Sequence, residues 1–200
     1  MSDPDRLAVG PETAGRAPLI FVLSGPSGTG KGTIVDALVA ADPSLWLSRS
    51  WTTRARRKNE SPYAYRFVDC DTVLAHAEAD GFVEYAEVFA NLYGTPLPTP
   101  PSGSDVVLEI DVQGAQQVRD RFPDAVLIFV EPPNREAQEA RLRARGDDED
   151  VIARRIAKAD AEEAVGHRIA NHVVVNDWLE RAVAEVAGIV DLCRKRVATT

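Results

Sequence analysis

The chain has 200 residues, 44% of them hydrophobic and 27% charged, with a net charge of −8; that is enough for one large domain with a substantial core. The acidic balance excludes broad nucleic-acid or membrane-surface binding, so any anionic ligand must be held by local basic clusters. Two cysteines, Cys70 and Cys193, exclude a disulfide framework or patterned zinc site, and no apolar run reaches membrane-spanning length. Residues 1–18 are polar, rich in Gly, Pro and charge, and lack a signal peptide's apolar core. They read as a flexible leader on a cytoplasmic protein.

Residues 19–23 form an apolar run that reads as a strand, and residues 34–41 have helical spacing. Between them lies Ser24-Gly25-Pro26-Ser27-Gly28-Thr29-Gly30-Lys31-Gly32-Thr33. Strand, glycine loop, helix is the setting of a phosphate cradle: glycines turn backbone N–H groups toward phosphate oxygens, and the helix N-terminus adds its dipole. Lys31 supplies a point charge for the outer phosphates. Gly32 stands where a Ser or Thr commonly offers magnesium a hydroxyl, and Thr33 is the next hydroxyl along.

Residues 48–95 break the simple alternation. Arg49, Arg54, Arg56, Arg57, Lys58 and Arg66 are mixed with Ser50, Thr52, Thr53, Tyr63, Tyr65, Tyr85 and Tyr93. Guanidinium forks and hydroxyls suit a second phosphate, because guanidinium binds phosphate oxygens bidentately. Two phosphate sites on one chain point to phosphoryl transfer between nucleotides. Tyr63, beside Tyr65, reads as a packing residue.

Beyond a proline-dense stretch at 95–101, residues 106–112 read as a buried strand that includes Glu109 and Asp111, which alternation places on one side. Helical spacing follows over 113–122, then a strand over 125–130 stopped by Pro132 and Pro133. Asn134 caps a helix that turns Ala137, Ala140 and Leu142 inward, broken by Gly146 and the acids at 147–150. A helix over 151–167, a strand over 172–175 and a last helix from Asp177 complete the chain. Repeated strand–helix units imply a parallel sheet covered on both faces, with ligands at its C-terminal edge.

Taken together, GPSGTGKGT, SRSWTTR followed by Arg57, FVEYAEVFANLYGTP and VVLEIDVQGA resemble the guanylate kinase family, in the family's order and from about residue 19 to 186. The resemblance implies an α/β fold: a P-loop NTPase-type parallel sheet with helices on both faces, a GMP-binding insertion and a mobile lid. It implies core segments at 19–47 and 105–186, an insertion at 48–104, a lid at about 143–158, and a helix end and tail at 187–200. The implied reaction converts ATP and GMP to ADP and GDP with magnesium, in purine nucleotide metabolism.

Carried over position by position, the resemblance assigns the ATP site to Gly25, Pro26, Ser27, Gly28, Thr29, Gly30, Lys31, Gly32 and Thr33, with Asn176 bordering the adenine. Ser50, Arg54, Arg57 and Tyr65 hold the GMP phosphate. Glu84 accepts from guanine N1–H and the amino group, a donor pair adenine lacks. Tyr93 and Thr95 form the other end of the site, Thr95 donating to the guanine carbonyl. Glu109 and Asp111 lie between the substrates and belong to the GMP site as well, one acid meeting the guanine amino group and the other magnesium or its water; with Thr33 they are the candidates for magnesium, directly or through water. Arg141, Arg145 and Arg155 join Lys31 and Arg54 at the transferring phosphates, where they neutralise charge in a loose transition state.

Two departures stand out. The segment Lys58-Asn59-Glu60-Ser61-Pro62 lacks the family's Pro-Gly turn, and the prolines of 95–106 disfavour a helix in a shortened connection. Two other readings compete. GKGT also occurs in adenylate kinases, but SWTTR and EYAEVFANLYGT favour guanine. Non-catalytic guanylate-kinase-like modules that bind proteins typically lose the phosphate loop that this chain has.

Overall fold

A computed structural model describes residues 16–57 and 60–199; the leader expected over 1–18 lies outside them except for its last three residues, as do Lys58 and Asn59. The elements run β1 (Ile20–Ser24), α1 (Lys31–Ala41), β2 (Leu45–Ser48), β3 (Trp51–Thr52), β4 (Arg66–Phe67), α2 (Cys70–Glu78), β5 (Phe82–Val88) and β6 (Asn91–Pro96). They continue with β7 (Asp105–Glu109), α3 (Val112–Arg121), β8 (Val126–Glu131), α4 (Arg135–Ala144), α5 (Glu149–Ile169), β9 (His172–Val175) and α6 (Leu179–Ala198).

Five strands form a wholly parallel sheet in the order β2-β7-β1-β8-β9. Its strands are near-continuous apolar runs because both faces are covered. On one face Phe21, Leu23, Val107, Ile128 and Val130 meet Ile34 and Leu38 of α1 and Ala182, Val186 and Val190 of α6. On the other, Val22, Val106, Leu108 and Leu127 meet Ala115 and Val118 of α3. The switch in strand order falls beside β1, so the loop leaving β1 opens into the crevice where such sheets bind ligands.

Residues between β2 and β7 build a second sheet, β4-β3-β6-β5, with β3 and β5 antiparallel to β6. Gln117 of α3 ties it to the core, accepting from Tyr85 N at 3.1 Å and donating to Tyr85 O at 2.9 Å. A register shift falls between Phe82 and Glu84, where three successive residues, Phe82, Val83 and Glu84, are all buried. The proline-dense connection after β6 contains no helix, as its prolines require. Among the described residues no helix is long and apolar enough to cross a membrane.

Five expectations need correction. The strand read over 106–112 ends at Glu109, and Asp111 is instead the N-cap of α3, accepting from Gly114 N at 2.8 Å. The acids at 147–150 do not all break a helix: Glu149 and Asp150 form the first turn of α5, where the helix dipole favours negative charge. In α4 the buried residues are Gln138 and Leu142, while Ala140 is exposed. Tyr63 is not a buried packing residue: it is 65% exposed at the rim of the cleft, with the Arg49 guanidinium 5.6 Å from its ring centre. The last helix begins at Leu179, two residues after Asp177.

Candidate active site

A cleft of about 770 Å³ lies between the C-terminal ends of β1 and β7, the second sheet and the α4–α5 junction. Its floor is the loop after β1. Gly30 is the N-cap of α1 at φ 90°, and a Cβ there would meet Asn176 Nδ2 at 2.4 Å; one on Gly25 would meet the Val130 carbonyl oxygen at 2.3 Å. Pro26 O accepts from the Thr29 hydroxyl at 3.2 Å. Three side chains hold the loop from outside: Gln138 Nε2 donates to Ser27 O at 2.7 Å, Asn176 Nδ2 to Thr29 O at 2.8 Å, and Arg141 to Thr29 O and Asn176 O at 3.1 and 2.7 Å. Arg141 is therefore committed to backbone carbonyls beside the loop.

Lys31 Nζ donates to the carbonyls of Gly25 and Pro26 at 2.7 and 3.0 Å. Burial lowers its pKa, against Glu109, Glu162 and Asp111, which raise it. Glu109 lies beneath the loop, with both carboxylate oxygens 3.4 Å from where a Cβ on Gly32 would sit. Burial raises the Glu109 pKa and Lys31 opposes that shift. Gly28 and Thr33 border the same cleft.

The wall above is arginine-rich. Arg54 donates through both guanidinium ends to Glu60, at 2.7 and 2.9 Å, and its Nε donates to the Tyr93 hydroxyl at 3.2 Å. Against its own burial, these bonds and Arg57 N hold the Glu60 carboxyl below the usual range. Tyr65 lies with its ring 5.4 Å from the Arg54 guanidinium, and burial keeps its phenol protonated. Arg155 donates to Ser27 Oγ at 2.7 Å and pairs with Asp147 at 3.3 Å, and Arg145 pairs with the same carboxylate. Burial first, then the neighbouring guanidiniums, lower the pKa of both Arg57 and Arg155. Arg54, Arg57, Arg145 and Arg155 share only two carboxylates, Glu60 and Asp147, so the wall keeps an excess of positive charge suited to an anionic ligand.

At the far end Glu84 is 4% exposed. Thr95 donates to Glu84 Oε1 at 2.6 Å and lies 2.7 Å from the Ser50 hydroxyl. The Thr95 hydroxyl thus spends its one donor on Glu84, and Ser50 joins the Glu84 network rather than the arginine wall. Burial, with the Asp111 charge nearby, pushes the Glu84 carboxyl up to about 7. Asp111 Oδ2 is buried with no hydrogen-bond partner, so one hard oxygen of the acid pair is unsatisfied. Among the described residues no group of three His, Cys, Asp or Glu forms a protein-only metal cage. The donor set still fits magnesium, which takes one or two carboxylates and fills its shell with water and substrate phosphates.

The structure brings together the residues that sequence placed on two separate phosphate sites. It adds two that sequence did not single out. Glu60 was legible only as an acid three positions after Arg57; Gln138 was legible as a polar residue four before Leu142 on a buried stripe.

Comparison with known proteins follows the same lines. A guanylate kinase family model matches residues 17–192. The guanylate kinase of Xanthomonas euvesicatoria pv. vesicatoria is 43% identical over 183 residues, covering 88% of this chain and 90% of that one. That of Chromobacterium violaceum is 44% identical over 187 residues, covering 90% and 88%. The crystal structure of guanylate kinase from Anaplasma phagocytophilum superposes with a TM-score of 0.66 at 30% identity, covering 88% of this chain and 86% of that chain. With the match running through both sheets and the cleft between them, the chain belongs to the guanylate kinase family of nucleoside monophosphate kinases.

Proposed function

We propose that this chain transfers the terminal phosphoryl group of ATP to GMP, giving ADP and GDP, as a cytoplasmic step of purine nucleotide metabolism. The observation that carries the acceptor's identity is Glu84, a buried carboxylate fixed by Thr95 at the end of the cleft remote from the phosphate loop. A fixed acceptor there pairs with guanine N1–H and the exocyclic amino group, whereas adenine offers an unprotonated N1.

The loop at residues 25–33 receives the ATP phosphates, and Lys31 exchanges its bonds to the loop carbonyls for bonds to phosphate oxygens. Asn176 borders the adenine side. The GMP phosphate enters the Arg54 fork in place of the Glu60 carboxylate, with Arg57, Tyr65 and Tyr93 around it. Arg145 and Arg155, on a lid spanning about 143–158, meet the transferring group from above and neutralise its oxygens as charge spreads; Arg141 steadies the loop beneath. Magnesium bound with the nucleotide supplies charge neutralisation across the donor phosphates, and Glu109 and Asp111, with Thr33 alongside, are the residues that would hold it. Closure of the lid excludes water and protects ATP from hydrolysis.

Incubation with ATP, magnesium and GMP, followed by chromatographic quantification, is the direct test. ADP and GDP in equal amounts are expected; ADP without GDP contradicts the reading. Lys31→Ala is expected to lower kcat by about 10²–10³ while leaving the GMP Kd within about twofold. A matching loss of GMP affinity in the folded variant contradicts the role of Lys31.

A further inference from the structure

The turn between β5 and β6 consists of Phe89 and Ala90, both at positive φ (48° and 59°). A two-residue turn of this hand is the domain of Asn-Gly, and a bulky aromatic in the left-handed region is strained. Core packing does not explain the choice, because Phe89 is 42% exposed. What the strained turn achieves is placement of the ring against α5. The Arg155 guanidinium carbon lies 4.9 Å from the ring centre, and Lys158 Nζ, one turn further along α5, lies 5.7 Å from it. The other face of this contact is the phosphate loop, since the same Arg155 donates to Ser27 Oγ at 2.7 Å. Strain retained at such a junction is what a functional constraint leaves behind.

We propose that Phe89 is a positioning residue whose ring grips Arg155 and holds it over the phosphate loop, coupling the sheet that binds the acceptor to the helix that meets the transferring phosphoryl group. The proposal rests on the roles given above to Glu84 and Arg155. Glu84 lies on β5, five residues before Phe89 in the turn that follows it, so an acceptor seated on Glu84 steadies the hairpin that bears Phe89. The hairpin then presents the ring to α5 in a fixed place. The second sheet thereby acts on the donor side through one aromatic contact. Phe89 itself need not touch either nucleotide.

The test compares Phe89→Gly, Phe89→Leu and Phe89→Tyr in wild-type and Arg155→Ala backgrounds. Glycine relieves the positive φ, so Phe89→Gly is expected to keep its unfolding midpoint within a few degrees while kcat falls about five- to tenfold. Its GMP Kd, measured by calorimetry without ATP, stays within about twofold. Phe89→Tyr restores kcat, whereas Phe89→Leu, apolar but without a ring, does not. In the Arg155→Ala background Phe89→Gly causes no further loss. A Phe89→Leu enzyme at the wild-type rate, or the same fold-loss in both backgrounds, overturns the proposal. A thermal double-mutant cycle on Phe89→Leu and Arg155→Ala, run without nucleotide, separates this from failure of the functional reading. Coupled midpoints are expected; strict additivity overturns the contact even if no GDP forms.

Discussion

Glu84 combines a functional requirement with a structural cost. Its carboxyl is buried beside Asp111 and titrates near 7, so in the free enzyme below that pH it carries a proton and cannot accept from guanine N1–H. The kcat/KM for GMP is therefore expected to rise about tenfold per pH unit up to about 7 and then level. Glu84→Gln should remove that limb and leave only the titration of the GMP phosphate near 6. A wild-type profile with no limb near 7 contradicts the assignment. The same shift has a stability counterpart. The native state keeps a proton that the unfolded chain releases, so stability falls as pH rises from about 4.5 through about 7, by up to roughly 3 kcal/mol. Glu84→Gln is then expected to be the more stable protein at pH 8, with that advantage gone at about pH 4. Chemical denaturation at the two pH values checks it.

Element boundaries are where sequence reading and structure part most clearly, and the causes are specific. The run of residues 106–112 is apolar enough to look like one strand, but the Asp111 side chain bonds Gly114 N and converts the end of that run into a helix start. The signal was present as an acid three residues before a glycine, and apolar continuity masked it. Asp111 consequently does two things that substitution can separate. Asp111→Ala is expected to lose about 1 kcal/mol from the α3 cap. Asp111→Asn keeps the cap and, by removing the charge, moves the Glu84 limb to lower pH. Equal stability of the two variants contradicts the cap's contribution. In α4 the helix itself was legible from Asn134 onward. Its inward residue Gln138 was not, because its partner Ser27 O is 111 residues away in sequence. By contrast the glycine loop was legible residue by residue, since its chemistry is local.

For the whole molecule, the alternation of strands and helices made the parallel sheet readable, and family motifs in order made the second sheet's purpose readable. How the two sheets face each other was not, because that depends on pairs remote in sequence: Gln117 with Tyr85, and Arg155 with Phe89. The same holds at the sheet's opposite edge, away from the cleft. There Arg194 of α6 bonds Asp42, Ser44 and the fully buried Asp105, which also takes Arg16 and Leu19 N. Arg194→Met leaves a buried carboxylate short of a partner and is expected to cost about 3 kcal/mol, or roughly 6–12 °C in Tm. Its kcat and KM should be unchanged, because the clamp lies at the strands' N-terminal ends; an altered kcat contradicts this separation of stability from chemistry. The central claim is that the cleft selects GMP through Glu84 for phosphorylation by ATP. It is tested most directly by initial rates of ADP formation with GMP and AMP as acceptors, for the wild-type enzyme and for Glu84→Gln. The account predicts GMP preferred over AMP by at least about a hundredfold in the wild type and most of that preference lost in the variant. Comparable rates with AMP, or discrimination unchanged by Glu84→Gln, would contradict it.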